Sequence, residues 1–148
     1  MVTTTVSTPV PAGLSKDAVL AALHNHEQMV KTLCPALISH ALESGSEEID
    51  VPAVYSVTDK KPIGQTTYKL TLTNVADGID TLVNAKPPVG TLTIAGKWRV
   101  VEEEDGKMLL KEEVDIDANM IMKRMAKANV DGSHPKQHVV LLEQAQKA

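Results

Sequence analysis

Phenylalanine is absent, and Trp98, Tyr55 and Tyr68 are the only aromatic rings of its class in the chain. Aliphatic side chains and six methionines must therefore fill the interior, and a core with so few large rings either packs compactly or leaves a hollow. A single cysteine, Cys34, excludes an intrachain disulfide. The opening MVTTTVSTPVP has neither the basic nor the apolar region of a secretory signal, so a cytoplasmic location is expected. No uninterrupted apolar run nears the roughly 18 residues that a spanning helix needs, so no membrane partner is expected. Lysine and arginine form no cluster and the formal net charge is −4, which speaks against a nucleic-acid partner. Glycine-rich phosphate loops, a nucleophile elbow and zinc signatures are all missing, so neither a cofactor nor a metal is expected.

What remains is an ordinary globular composition, 43% apolar and 23% charged over 148 residues, enough for one core in a single domain spanning residues 1–148. Residues 2–10 alternate in polarity and end in prolines, as a first strand does. Ser15 then caps a helix with Val19, Leu20 and Leu23 at helical spacing, and Asn25 with Gln28 three residues on begins a second. Pro35 closes that pair. Segments 36–43, 47–58, 63–74, 79–85, 89–103 and 107–117 read as strands, separated by turns such as Pro87-Pro88 and Asp105-Gly106. From Ala118 onward, apolar residues recur at helical intervals, interrupted around Asp131-Gly132-Ser133 and Pro135, so either one kinked helix or two in series follows. The fold class is α+β: a curved antiparallel sheet of about seven strands, covered by a long C-terminal helix, with a pocket where the sheet bends away from it.

The last hairpin can be placed by register. Leu92, Ile94, Gly96, Trp98 and Val100 share one face, as do Met108, Leu110, Glu112, Val114 and Ile116 on the next strand. A two-residue turn would set these faces on opposite sides. A three-residue loop, Glu104-Asp105-Gly106 with Gly106 left-handed, aligns them and puts Trp98 opposite Glu112 and Lys97 opposite Glu113. Glu112 is then a carboxylate on an apolar wall, either buried with its pKa raised as a general acid or base, or solvated or lysine-paired at the cavity mouth.

His24 and His26 fall at the junction of the two short helices, which faces one end of such a pocket. Two residues apart on a helix they point away from each other, so a shared metal is disfavoured. His26 is read as a proton carrier or as a helix cap. His134 and His138 straddle Pro135 and are expected at the surface, and Cys34 is expected as a buried inert thiol.

The segments Leu23-His24-Asn25-His26, Leu33-Cys34-Pro35-Ala36-Leu37, Tyr55-Ser56-Val57-Thr58-Asp59, Asp77-Gly78, Lys86-Pro87-Pro88-Val89-Gly90 and Trp98-Arg99-Val100 resemble an uncharacterised fungal family of START-like (SRPBCC, Bet v 1-like, polyketide-cyclase-like) proteins, over residues 3–145. That resemblance implies the helix-grip fold, a ligand cavity and, by analogy, a cofactor-independent enzyme of secondary metabolism that closes a polyketide to an α-pyrone. The catalytic candidates are His26 and Glu112, with His24, Tyr55, Tyr68, Trp98, Leu110 and Met122 contacting substrate. The expected partners are an apolar or polyketide substrate, delivered by a polyketide synthase, and a second copy of the chain in a homodimer. The alternative is a noncatalytic carrier or sensor of an apolar small molecule or lipid.

Overall fold

A computed structural model describes residues 2–85 and 90–147. The Pro87-Pro88 turn and the start of the 89–103 strand lie outside the described residues. The elements run β1 (Val2–Pro9), α1 (Lys16–His24), α2 (His26–Leu33), β2 (Leu37–Ser44), β3 (Pro52–Lys60), β4 (Gln65–Val75), β5 (Gly78–Ala85), β6 (Leu92–Glu102), β7 (Met108–Asp117) and α3 (Met120–Lys147). The strands form one curved antiparallel sheet in the order β1-β7-β6-β5-β4-β3-β2. β1 and β2 are thus opposite edges, and α1 and α2 carry the chain from one to the other. This is the helix-grip architecture expected above.

Local chemistry explains the boundaries. Ser15 and Asn25 accept hydrogen bonds from the amides of Ala18 and Gln28, so both short helices carry the caps expected of them. The Asn119 side chain caps α3 by accepting from the Met122 amide. β3 begins at Pro52 instead of 47, because residues 47–51 turn away from the ladder, with Asp50 left-handed at a φ of 64°. α3 is one helix that runs through Pro135 without a break.

The β6–β7 register pairs Trp98 with Glu112, Lys97 with Glu113 and Glu102 with Met108. The Glu103 amide bonds the Lys107 carbonyl, leaving Glu104-Asp105-Gly106 as a three-residue loop with Gly106 at a φ of 82°. One core cluster joins α1, α2 and the C-terminal part of α3 to the sheet through residues such as Leu23, Met29, Leu72, Ile79, Trp98 and Leu141. A smaller cluster, Val114, Ile116, Ala126 and Val130, packs the first half of α3 over β7.

Candidate active site

Sheet and helix part to leave a cavity of about 560 Å³, within the roughly 300–1,000 Å³ common for small-molecule sites. Leu70, Val83 and Ile94 from the sheet and Met122, Ala126 and Val130 from α3 give it mostly aliphatic walls. Polar groups gather at two places on this lining. Glu112, Thr81, His134 and Gln137 form the first, and Asp59, Tyr68, Cys34 and Lys61 the second, with Thr66, Asn129 and Ser133 as further polar residues of the lining.

Glu112 is fully buried, and its inward direction follows from the three-residue β6–β7 loop. One carboxylate oxygen, Oε2, accepts from His134 Nδ1 at 2.7 Å, and the other, Oε1, from His138 Nε2 at 3.0 Å. Because a carboxylate can only accept, both imidazole nitrogens facing it carry protons, which sets the tautomers. His138 is buried, packs against Trp98 with ring centres 4.6 Å apart and planes tilted by 41°, and bonds the Thr8 hydroxyl through Nδ1 at 2.9 Å. His134, with 14% of its side chain exposed, has no partner for Nε2 among the described residues and lines the cavity. Burial pushes the Glu112 carboxyl up, but the hydrogen bonds it accepts from His134 and His138 outweigh that and hold it below its ordinary value. A carboxylate with an imidazole bonded through Nδ1 and open at Nε2 is a proton-transfer pair.

Gly96 makes room for this arrangement. A Cβ there would stand 2.6 Å from Thr81 Oγ1 and 3.2 Å from Glu112 Oε2, so only glycine lets the hydroxyl and the carboxylate lie against the β6 backbone. Two buried polar atoms beside the pair, Trp98 Nε1 and Gln137 Oε1, have no partner among the described residues.

At the second polar place the Tyr68 hydroxyl donates to Asp59 Oδ2 at 2.9 Å, so the 3.0 Å contact with Cys34 is the thiol donating to the Tyr68 oxygen. Burial pushes the Cys34 thiol up to about 11, with the Asp59 charge adding and the Tyr68 hydrogen bond opposing. The thiol is therefore protonated and inert, as the sequence suggested. Burial, with Cys34 and Asp59 adding, also drives Tyr68 well above the usual phenol range, so it stays a hydroxyl.

Of the eight residues picked from sequence, Glu112, Tyr68 and Met122 line the cavity. The others do not, and His26 is the main correction. It is buried away from the lining, where its Nε2–H donates to Asn74 Oδ1 and its Nδ1 accepts from the Tyr55 hydroxyl, both at 2.9 Å. The acceptor role of Asn74 Oδ1 is set by its amide, which donates to the carbonyls of His24 and Glu47. With both nitrogens satisfied and its side chain off the cavity lining, His26 fastens α2 to β3 and β4. His24 Nε2–H is shared between the Val75 and Gly78 carbonyls and closes the β4–β5 turn. Tyr55 belongs to the His26 network, while Trp98 and Leu110 face inward but are sealed in the core beneath the pocket.

Sequence reasoning missed His134 and His138, which were expected at the surface. Proline disfavours helical geometry at the residue before it, here His134, so their common helical face was discounted. The available signal was a pair of imidazoles four residues apart in a segment that had to cover a wall carrying one acid. Among the described residues, no group of three or more His, Cys, Asp or Glu is placed to hold a metal, and no helix is long and apolar enough to cross a membrane.

The model of a family described as "Domain of unknown function (DUF7053)" matches residues 1–147. No curated protein matches the chain. Among solved structures, Ara h 8.0201 superposes with a TM-score of 0.67 at 14% identity, over 99% of this chain and 98% of that one. An aromatase/cyclase described as Zhui, from Streptomyces sp. R1128, superposes with a TM-score of 0.65 at 14% identity, over 98% and 94%. The di-domain ARO/CYC StfQ from the steffimycin biosynthetic pathway does so at 0.69 and 9% identity, over 98% of this chain, which spans 51% of StfQ. At these identities the likeness is one of fold, the Bet v 1-like helix grip.

Proposed function

The chain belongs to the DUF7053 family, and we propose that it is a small cytoplasmic, cofactor-independent cyclase that performs acid–base chemistry on an enolisable polyketide. The observation that carries this is the His134–Glu112 pair, bonded at 2.7 Å, with the second imidazole nitrogen left without a partner among the described residues, on the wall of the cavity. The polyketide setting is supported by the fold shared with aromatase/cyclases and by the sequence resemblance noted above. Fungal secondary metabolism and delivery by a polyketide synthase are carried by that resemblance alone.

The finer reading is α-pyrone closure. His134 Nε2 takes the proton of an enol O–H, and the enolate oxygen attacks the acyl carbonyl carbon five positions along. The new C–O bond closes the ring, the C–S bond of the thioester breaks, and the departing thiolate takes the proton back from His134. Atoms and charge balance without a cofactor. Glu112 stabilises the imidazolium formed on the way and holds the ring in the required tautomer. The Thr81 hydroxyl and the Gln137 amide, both on the lining beside the pair, are the groups placed to receive the carbonyl oxygen as charge develops on it.

A positioned general base contributes about 10²–10⁴-fold. Purified protein incubated with triketide thioesters of N-acetylcysteamine should release pyrone, followed by its absorbance. His134→Ala should lose roughly that factor, whereas His26→Ala should keep its rate wherever it folds. An unchanged rate in His134→Ala ends the catalytic reading. The aliphatic walls favour a carrier as the second reading, in which ligand binds and no bond changes.

A further inference from the structure

The second polar place on the lining has no part in the chemistry above. Asp59 faces inward from the end of β3, with one carboxylate oxygen held by the Tyr68 hydroxyl, itself backed by the Cys34 thiol. The other oxygen, Oδ1, is buried and has no partner among the described residues. Leaving a buried acceptor unfilled costs about 1–3 kcal/mol, more for a charged group, so such an atom calls for a donor. Tyr68 comes from β4, the next strand of the same hairpin, and Cys34 from the C-cap of α2, 34 residues before Tyr68, so the placement of Asp59 is fixed by both local pairing and the fold.

We infer that Asp59 is a second anchor of the cavity and accepts a hydrogen bond from a hydroxyl, phenol or enol on the ligand, at the end remote from His134. The Lys61 side chain lines the same end without an ion pair to Asp59, and its positive charge disfavours a ligand cation there. That selects a neutral O–H donor. Glu112 on β7 and Asp59 on β3 are four strands apart, on the order of 19 Å along the sheet before its curvature shortens the path. Aliphatic residues lie between them, so the ligand is extended, apolar in the middle, and polar at both ends. This rests on the reading of the cavity as a ligand site but does not depend on catalysis.

The test is isothermal titration of the full chain with 2-naphthol and with 2-methoxynaphthalene, which differ by one hydroxyl proton and a methyl group. Wild type should prefer the naphthol by tenfold or more, and His134→Ala should keep that preference. Asp59→Asn should cancel or reverse it, because the amide must turn its oxygen to the Tyr68 hydroxyl and present N–H groups to the cavity. Binding of both compounds with no preference in wild type overturns the anchor and leaves the cavity standing. A preference lost in His134→Ala and kept in Asp59→Asn assigns the hydroxyl to the other end and overturns it too. Failure of both compounds to bind wild type overturns the ligand cavity itself, while pyrone release by wild type separately judges the catalytic reading.

Discussion

Replacing Glu112 by Gln keeps the shape of a fully buried side chain and removes its charge. Both of its bonds, to His134 and His138, are charge-assisted. Such bonds contribute about 1.5–3 kcal/mol each against about 0.5–1.5 for neutral ones, so the substitution should cost about 2–3 kcal/mol at neutral pH. For a chain of this size that is a fall of about 4–10 °C in Tm. The pH dependence gives the sharper reading. The folded-state pKa of Glu112 is held below its ordinary value of 4.5, so its contribution is complete above that value and is lost as pH falls through the folded pKa. Below that point the wild-type carboxyl is protonated and equivalent in charge to the amide. Thermal melts of the two proteins, followed by circular dichroism from pH 7 down to pH 3, should therefore start well separated and converge. A separation that stays constant across the range, or a variant as stable as wild type at pH 7, refutes a charged Glu112 between two imidazoles.

Gly96→Ala drives a methyl group against the Thr81 hydroxyl and the Glu112 carboxylate; it should cost about 1–3 kcal/mol in urea unfolding and lower kcat by displacing the acid. Tyr55→Phe leaves His26 Nδ1 buried without a donor, so a loss of about 1–3 kcal/mol with unchanged ligand affinity is expected from the same melts and from titration. Pro135→Ala restores a backbone donor within α3; a proline inside a helix costs about 3 kcal/mol, so the urea midpoint should rise.

Much of the scaffold was legible because it rests on local rules. The caps at Ser15 and Asn25 and the three-residue loop at 104–106 follow from residue types and strand alternation. That loop in turn puts Trp98 opposite Glu112 by strand alternation alone. The strand that began at 52 instead of 47 was misplaced because the Glu47 carboxylate is engaged elsewhere, accepting from the His26 amide. The site was half legible for a related reason. Alternation decides which face of a strand looks inward, whereas the rotation of a covering helix depends on packing against the whole sheet. So Glu112 was found, and its imidazole partners on α3 were not. His26 misled because its partners, Tyr55 and Asn74, come from strands 29 and 48 residues away.

The order of the chain bears on how the protein is made. β1 leaves the ribosome before β7, yet pairs with it, Val2 meeting Ile116, and the imidazoles for Glu112 arrive later still. Until α3 docks, the nascent sheet carries an acid on its bare greasy side with nothing to neutralise it, and that side cannot close on itself without stranding the charge. Docking of α3 then brings both imidazoles to the carboxylate and closes the pocket over it in one step.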